Sequence, residues 1–542
     1  MTHSPAAAPD APATDASDTY GIDPVIYHRR WTILAVLCIS LVTIVVAVSS
    51  LNVAIPTIIK QLGANSTESL WIIESYALVF AGVLLPAGAL GDRFGRKWAL
   101  LVGLVIFGVM AVVASQSGSP AQLIAARAVM GIGAALIMPA TLSIIANVFP
   151  PHERQRAIAT WAGLAGAGGA IGPLTSGAVL SLGWWWGAVF LVNVPLVLLL
   201  IGLTVWIVPN SSNPNGEKLD PLGALLSVAA LGSLVFGIIE GPEWGWGSAR
   251  VLGAFGVAVV AGVGFVVWGL RAREPMLDPR LFRLRGFAMG SLAITTAFFC
   301  MFGTYFLLAQ YLQFVHGYTA LGSAVRTLPA AVVMVIVSPR SPKIVARFGV
   351  RTAVRGGFLA LRTEDFVVAA RLDGCSQMRV IFRHMLPSMV SHFLVTMSAG
   401  MATLMAPASG MIVSSLPLAK AGVGSAVNDV TREVGGAVGI AVMGSVLASS
   451  YSSSMSERIA KFPIPDEPRR LIEDSIGKAF GVVQQAEKMI GSDAAASVRE
   501  SARVSFTHGS HWAFVVAAAA AALGAAVVGS FIPDESPTHG HH

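Results

Sequence analysis

A chain of 542 residues that is 54% hydrophobic and 12% charged, with a mean hydropathy of +0.70, carries about half the charge of a soluble protein. Its net charge of +7 is spread over short segments between apolar runs, which suits topology and argues against a nucleic-acid surface. Cys38, Cys300 and Cys375 share no disulfide or metal-ligand spacing, so the composition points to a helical membrane protein without a metal.

The first thirty residues are rich in Ala, Pro, Asp, Ser and Thr and lack a cleavable signal, which predicts a disordered cytoplasmic tail. Apolar runs then follow near 31–56, 70–90, 98–116, 120–149, 155–180, 187–208, 221–240, 251–270, 286–313 and 320–338. Three more lie near 388–415, 422–450 and 512–532. Each is continuous rather than alternating, so each reads as a membrane helix of about 20 residues and a β-barrel is excluded. Loops after the even-numbered spans carry Arg93, Arg96, Lys97, Arg154, Arg156, Lys218, Arg271, Arg273, Arg280, Arg283 and Arg285. Loops after the odd-numbered spans carry only Lys60, Arg250 and Arg326. Basic residues stay inside, so the N-terminus is expected in the cytoplasm.

The loop after the second span reads GALGDRFGRK, Gly88 to Lys97, with Gly91, Asp92, Arg93, Gly95 and Arg96 between. It resembles the loop joining the second and third helices of major facilitator superfamily transporters, G-x-L-x-D-R-x-G-R-K. A weak echo, Ala346-Arg347-Phe348-Gly349-Val350, follows the tenth span and suggests two parallel repeats. Further stretches agree: WIIESYALVFAG at 71–82, RAVMGIGAALIMPA at 127–140, WWWGAVFLVNVP at 184–195 and QYLQFVHGYTALGSAVRTLPA at 310–330. GGAIGPLTSG at 168–177 resembles the antiporter motif of the fifth helix, with Ser176 in place of a glycine. The resemblance covers about nine-tenths of the chain and is to the fourteen-helix drug:proton antiporter family.

That resemblance implies an all-α polytopic membrane protein of the major facilitator fold. Two six-helix bundles, 31–208 and 286–533, would flank two extra helices in 209–285. Residues 451–510 would form an extracytoplasmic loop and 534–542 a tail. The eleventh span does not fit. Residues 351–386 hold nine charges, and each at a bilayer centre costs about 2.5–3.5 kcal/mol. EDFVVAARLDGCSQMRVIFRHMLP, 364–387, instead resembles the coupling loop of peptide-type ABC importer permeases, so 352–396 stands apart. Three readings compete: a chimera, a divergent span held by its neighbours, or a true ATPase-docking loop. If the span is missing, later segments would invert or 388–415 would re-enter the membrane.

Ionisable residues within spans are functional candidates, because leaving them there costs energy that only a role or a partner offsets. Glu74, beside Tyr76, reads either as a proton-coupling carboxyl or as a hydrated residue at the outer interface. Asp429, Arg432 and Glu433 share one helical face. They form either a neutralised helix start or a site in which Glu433 attracts protons or cationic substrate. Arg127 must face protein, bonding carbonyls or pairing with Glu74. Asp92 and Arg93 belong to a loop that, in the family, holds the two halves closed on the cytoplasmic side. Gly168, Gly172, Pro173 and Gly177 supply a small-residue face and a weakened backbone. Ala47 stands where family members often carry an Asp in the first helix, so coupling rests more heavily on the other acids.

These readings combine into a monomeric, proton-coupled exporter of amphipathic, cationic compounds in the inner (plasma) membrane. It would use no cofactor and no ATP, because no phosphate loop, metal cluster or nucleophile triad appears. Two rivals stand beside it: a dedicated exporter of an endogenous lipid or secondary metabolite, and a nonfunctional chimera or ABC-like permease subunit.

Overall fold

The computed structural model describes residues 22–212, 220–337, 340–361, 386–416, 421–460, 462, 464–490 and 492–531, and every regular element among them is helical. The helices of the first half are α1 (Pro24–Leu62), α2 (Ser66–Phe94), α3 (Arg96–Ser115), α4 (Pro120–Val148), α5 (Pro151–Ser181) and α6 (Val194–Ile207). Then come α7 (Pro221–Trp244) and α8 (Ala249–Arg271), the two extra helices. The second half holds α9 (Arg285–Gln310), α10 (Ala320–Val337), α11 (Val350–Leu361), α12 (Leu386–Ser414), α13 (Ala421–Ile459) and α14 (Ser492–Phe531). Eleven helices are long and apolar enough to cross a membrane, counted among the described residues. The other three positions are α5, dominated by Ala and Gly, the short α10, and α11.

The two halves pack alike. Helix α5 lies along α1 as α13 lies along α9, and α4 packs on α2 and α3 as α12 packs on α10 and α11. Glycines make the first of these contacts possible. A Cβ at Gly172 would come within 2.7 Å of the Val46 carbonyl, and one at Gly168 within 3.0 Å of Val45 Cβ. The close approach lets Ser50 Oγ donate to the Gly172 carbonyl at 3.0 Å and Ser49 Oγ to the Gly168 carbonyl at 3.3 Å. On α13, Gly435 and Gly439 repeat the four-residue spacing against the backbones of Thr295 and Phe299 on α9. Small residues substitute here for the hydrophobic effect, which is absent between helices in lipid.

The loop echo is also structural. Gly95 (φ 120°) and Gly349 (φ 80°) each take a positive φ at a helix-to-helix turn, a conformation that favours glycine. The preceding Arg lies over the preceding Phe in both, Arg93 at 5.6 Å and Arg347 at 5.4 Å from the ring centroid.

The eleventh position is filled: the described part of helix α11 has 12 residues, Val350–Leu361. It packs on α12 and α14, in the place α3 holds against α4. Its charge is drawn to a helix end: Arg351 Nε donates to the Gly529 carbonyl at 2.6 Å, near the C-terminus of α14, where carbonyls favour a cation. Most of the permease-like stretch, 362–385, lies outside the described residues. Helix α12 is one continuous 29-residue helix. Residues 451–510, expected as a loop, are largely helical, comprising the end of α13, Asp466–Asp474, Ile476–Ile490 and the start of α14.

Loops rich in Arg and Lys lie together at one set of helix ends. The halves meet at the opposite ends of their helices. Gly177 on α5 sits against Leu321 on α10, where a Cβ would lie 2.8 Å from Leu321 Cα. Gln313 Nε2 donates to the Val53 carbonyl at 3.0 Å, and Ser66 Oγ to the Asp474 carbonyl at 2.7 Å.

The extra hairpin is tied by Asp220, which caps α7. Its carboxylate accepts from the Gly223 N–H at 2.8 Å, Trp268 Nε1 at 2.9 Å and the Met276 N–H at 3.0 Å. Burial pushes this carboxyl up, but the three donors outweigh it and hold it below the ordinary carboxylate range. A depressed carboxyl adds stability that is complete above its unfolded value, about 3.9, and is lost as pH falls through its folded value. Asp220→Ala should therefore cost about 1–2 kcal/mol at neutral pH. The gap in thermal unfolding temperature between wild type and variant should close as pH is lowered below about 4. Gly172→Val should destabilise the detergent-solubilised protein by about 1–3 kcal/mol in the same assay, through overpacking against α1.

Candidate functional site

Helix α2 begins with a capping box. Asn65 Oδ1 accepts from the Glu68 N–H at 2.6 Å, and Glu68 Oε2 accepts from the Asn65 N–H at 2.8 Å. This start places Trp71 and Glu74, three residues apart, on one face of the second and third turns. Glu74 is fully buried, and neither carboxyl oxygen has a hydrogen-bond partner among the described residues.

Arg127 on α4 is likewise fully buried. Its Nε donates to the Ile72 carbonyl at 3.1 Å, and its guanidinium lies over the Tyr76 ring at 4.4 Å. Gly131 permits this approach, since a Cβ there would stand 2.6 Å from the Tyr76 carbonyl. Of the two expected partners, the carbonyl is the one bonded. Glu74 lies beyond ion-pair distance but within the electrostatic reach of Arg127.

The acids of α13 divide into two roles. Arg432 Nη1 pairs with Asp429 Oδ1 at 3.5 Å, and its guanidinium lies 4.9 Å from the Phe298 ring centroid on α9. Glu433 stands outside that ion pair. It reaches electrostatically across to Glu74 and Tyr76 on α2. The fold thus joins two clusters that looked separate in sequence: Glu74, Arg127 and Glu433 surround Tyr76 where α2 and α13 meet. Arg432 also lies within electrostatic reach of Glu433, so each of the two carboxyls has a guanidinium near it.

One acid escaped the sequence reading. Glu240 on α7 is 9% exposed and accepts from Trp71 Nε1 at 2.8 Å, one turn from Glu74. The next-but-one residue toward the chain start, Ile238, offers its carbonyl to Ser445 Oγ of α13 at 2.6 Å. Helix α7 therefore bonds to both halves at adjoining residues. The available signal was an acid inside the apolar stretch Ile238-Ile239-Glu240, masked by the Gly241-Pro242 that follows as a run end.

The GALGDRFGRK loop makes its bonds within the first half. Arg96 Nε pairs with Asp92 Oδ1 at 2.7 Å, and Arg96 Nη1 donates to the Ser143 carbonyl at 3.3 Å. Lys97 Nζ donates to the Val205 carbonyl at 2.8 Å. Gly88 passes Pro139, and Gly91 passes Ala99. Among the described residues its hydrogen-bond and ion-pair partners all lie within the first half of the chain, so in this conformation it does not clasp the two halves. The physical reason is that the halves touch at the other ends of their helices. The second copy places Ala346 and Val350 where Asp92 and Arg96 stand, so that ion pair has no counterpart. No group of His, Cys, Asp and Glu able to hold a metal occurs among the described residues.

Known proteins agree with this architecture. The family described as Major Facilitator Superfamily matches residues 37–440. Multidrug efflux pump LfrA of Mycolicibacterium smegmatis is 34% identical over 504 residues, 92% of this chain and 96% of LfrA. The tetracenomycin C resistance and export protein of Streptomyces glaucescens is 32% identical, over 92% of this chain and 91% of its own length. Among solved structures, a bacterial homolog to human lysosomal transporter Spinster, inward-facing and occupied, superposes with a TM-score of 0.61 at 19% identity. That superposition covers 93% of this chain and 96% of the homolog, and shows the shared fold. This chain belongs to the major facilitator superfamily.

Proposed function

We propose that the chain is a secondary transporter that exports amphipathic, cationic drugs or toxic compounds in exchange for protons. It works as a monomer by alternating access in the cell inner (plasma) membrane, with its N-terminus in the cytoplasm. The observation that carries this reading is Glu74, buried without a hydrogen-bond partner between Arg127 and Glu433 at the meeting of the halves. A desolvated carboxyl resists ionisation. In this scheme release of a proton from Glu74 is paired with the opening of the site or the arrival of a cation. Substrate and proton then compete for the same acids, and their alternation ties transport to the proton gradient. Gly177 at the α5–α10 seam and the Gly172-Pro173 pair supply the hinge that this alternation needs. Support for drug as cargo comes from the relative named as a multidrug efflux pump.

A second reading, a dedicated metabolite exporter, is favoured by the relative named for tetracenomycin C export. Growth of expressing cells on several unrelated lipophilic cations separates the two. Protection against more than one supports multidrug export, and protection against none supports the dedicated exporter. For the mechanism, Glu74→Gln should leave the protein in the membrane and lower proton-driven efflux by about a hundredfold, consistent with losing an essential proton carrier. Full efflux by that variant would remove Glu74 from the scheme. Glu433→Gln should weaken cationic substrates by about tenfold and spare neutral ones, as loss of one desolvated charge contact predicts. Gly177→Leu should part α5 from α10. Cysteine labelling of Val53 (as Val53→Cys) from the extracytoplasmic side would then become faster than in the Gly177 background.

A further inference from the structure

The two halves do not close flush on the extracytoplasmic side. A cavity of about 560 Å³ lies between the ends of α1 and α5, the α9–α10 connection, the helix Ile476–Ile490 and α14. That volume falls within the range of small-molecule sites. Its walls combine aromatic surface with positive charge, and among the described residues that line it there is no carboxylate. Phe314 and Phe480 meet edge to face with centroids 6.0 Å apart. Lys60, from the first half, places Nζ 5.5 Å from the Phe314 centroid. Arg503, from the second half, places Cζ 5.8 Å from that of Phe480. An aromatic pair is thus flanked by one cation from each half, with Trp184 and Thr319 on the remaining wall.

These cations are poorly neutralised. Among the described residues Lys60 has no carboxylate within ion-pair distance. Arg503 reaches Glu500 Oε2 at 3.7 Å, an exposed rim pair of small worth, and its buried Nε has no hydrogen-bond partner. Two cations on an apolar, aromatic concavity match a ligand with an anionic head and an apolar body.

We propose that this cavity binds an anionic amphiphile, its carboxylate, sulfate or phosphate head held by Lys60 and Arg503 and its body lying on Phe314, Phe480 and Trp184. Because the two cations belong to opposite halves, the bound head ties the halves together on this side. An occupant therefore holds the halves in their present arrangement. A cationic substrate leaving the transporter meets the same two charges and is not retained.

The full-length protein in nanodiscs of zwitterionic lipid, titrated with a dansyl-labelled fatty acid, tests this. Saturable binding is expected, weakening with salt as a charge contact must. Lys60→Gln with Arg503→Gln should weaken it about tenfold or more, and Lys60→Arg with Arg503→Lys should retain it. An alkyltrimethylammonium of similar chain length should fail to displace the probe. Weaker probe binding in discs containing phosphatidylglycerol assigns the site to a lipid headgroup, and equal binding in both assigns it to a free amphiphile. Unchanged affinity in the double Gln variant overturns the proposal, as does displacement by the cation. Should that variant fail to elute as a folded monomer, salt-independent binding to the wild type overturns it equally. The readout is binding alone, so it stands apart from any result on efflux.

Discussion

The organising constraint is the cost of leaving charge in a dry helical bundle. Leu, Ile, Val and Ala fill most of the interior, and such a lining tolerates a carboxyl or a guanidinium only beside a compensating group. Arg127 shows how the bundle meets that cost. A backbone carbonyl of α2 takes its Nε, and the ring of Tyr76 takes its face. Glu74 receives no such bond, and the electrostatic field of Arg127 is what it has instead.

Close helix packing is what brings the responsive groups together. Gly131 draws α4 onto α2, so that Arg127 reaches Tyr76. Gly435 and Gly439 draw α13 onto α9, which sets the face of α13 that carries Glu433. On the first half, Gly168 and Gly172 do the same for α5 and α1, and Ser49 and Ser50 use the proximity to bond across. The two halves are thus built on one plan, with a four-residue glycine spacing in each. They differ at the loops: Asp92 and Arg96 pair in the first, and Ala346 and Val350 leave the second without that pair. Helix α11, described over Val350–Leu361, is anchored through Arg351 at the end of α14.

The extra helices are more than a spacer between halves. Glu240 and Ile238 bond α7 to α2 and to α13 within one turn, close to the level of Glu74. Asp220 in turn fixes α7 to α8 and to the following loop. Any rocking of the halves must either move this strap as a body or break one of its bonds.

Much of this was legible in the residues alone. Hydropathy reports the cost of burying each side chain in lipid, so the spans, the basic face and the oddity near 352 follow from local sums. The GALGDRFGRK loop and its echo at Ala346–Val350 were readable because a positive-φ turn after Arg-Phe admits little but glycine. Glu74 and Arg127 stood out because a charge inside an apolar run is anomalous wherever it points. What lay beyond local reading was which charges share a space. Glu74 and Glu433 lie at opposite ends of the chain, and no short-range pattern records that α2 and α13 pack together. Glu240 was hidden for the same reason, since only its contact with Trp71 distinguishes it from an acid at a loop edge. Composition determined that the chain crosses the membrane as helices, because that depends on each residue's own transfer cost. The tertiary structure alone decided the site, because a buried charge takes its meaning from the neighbour it faces.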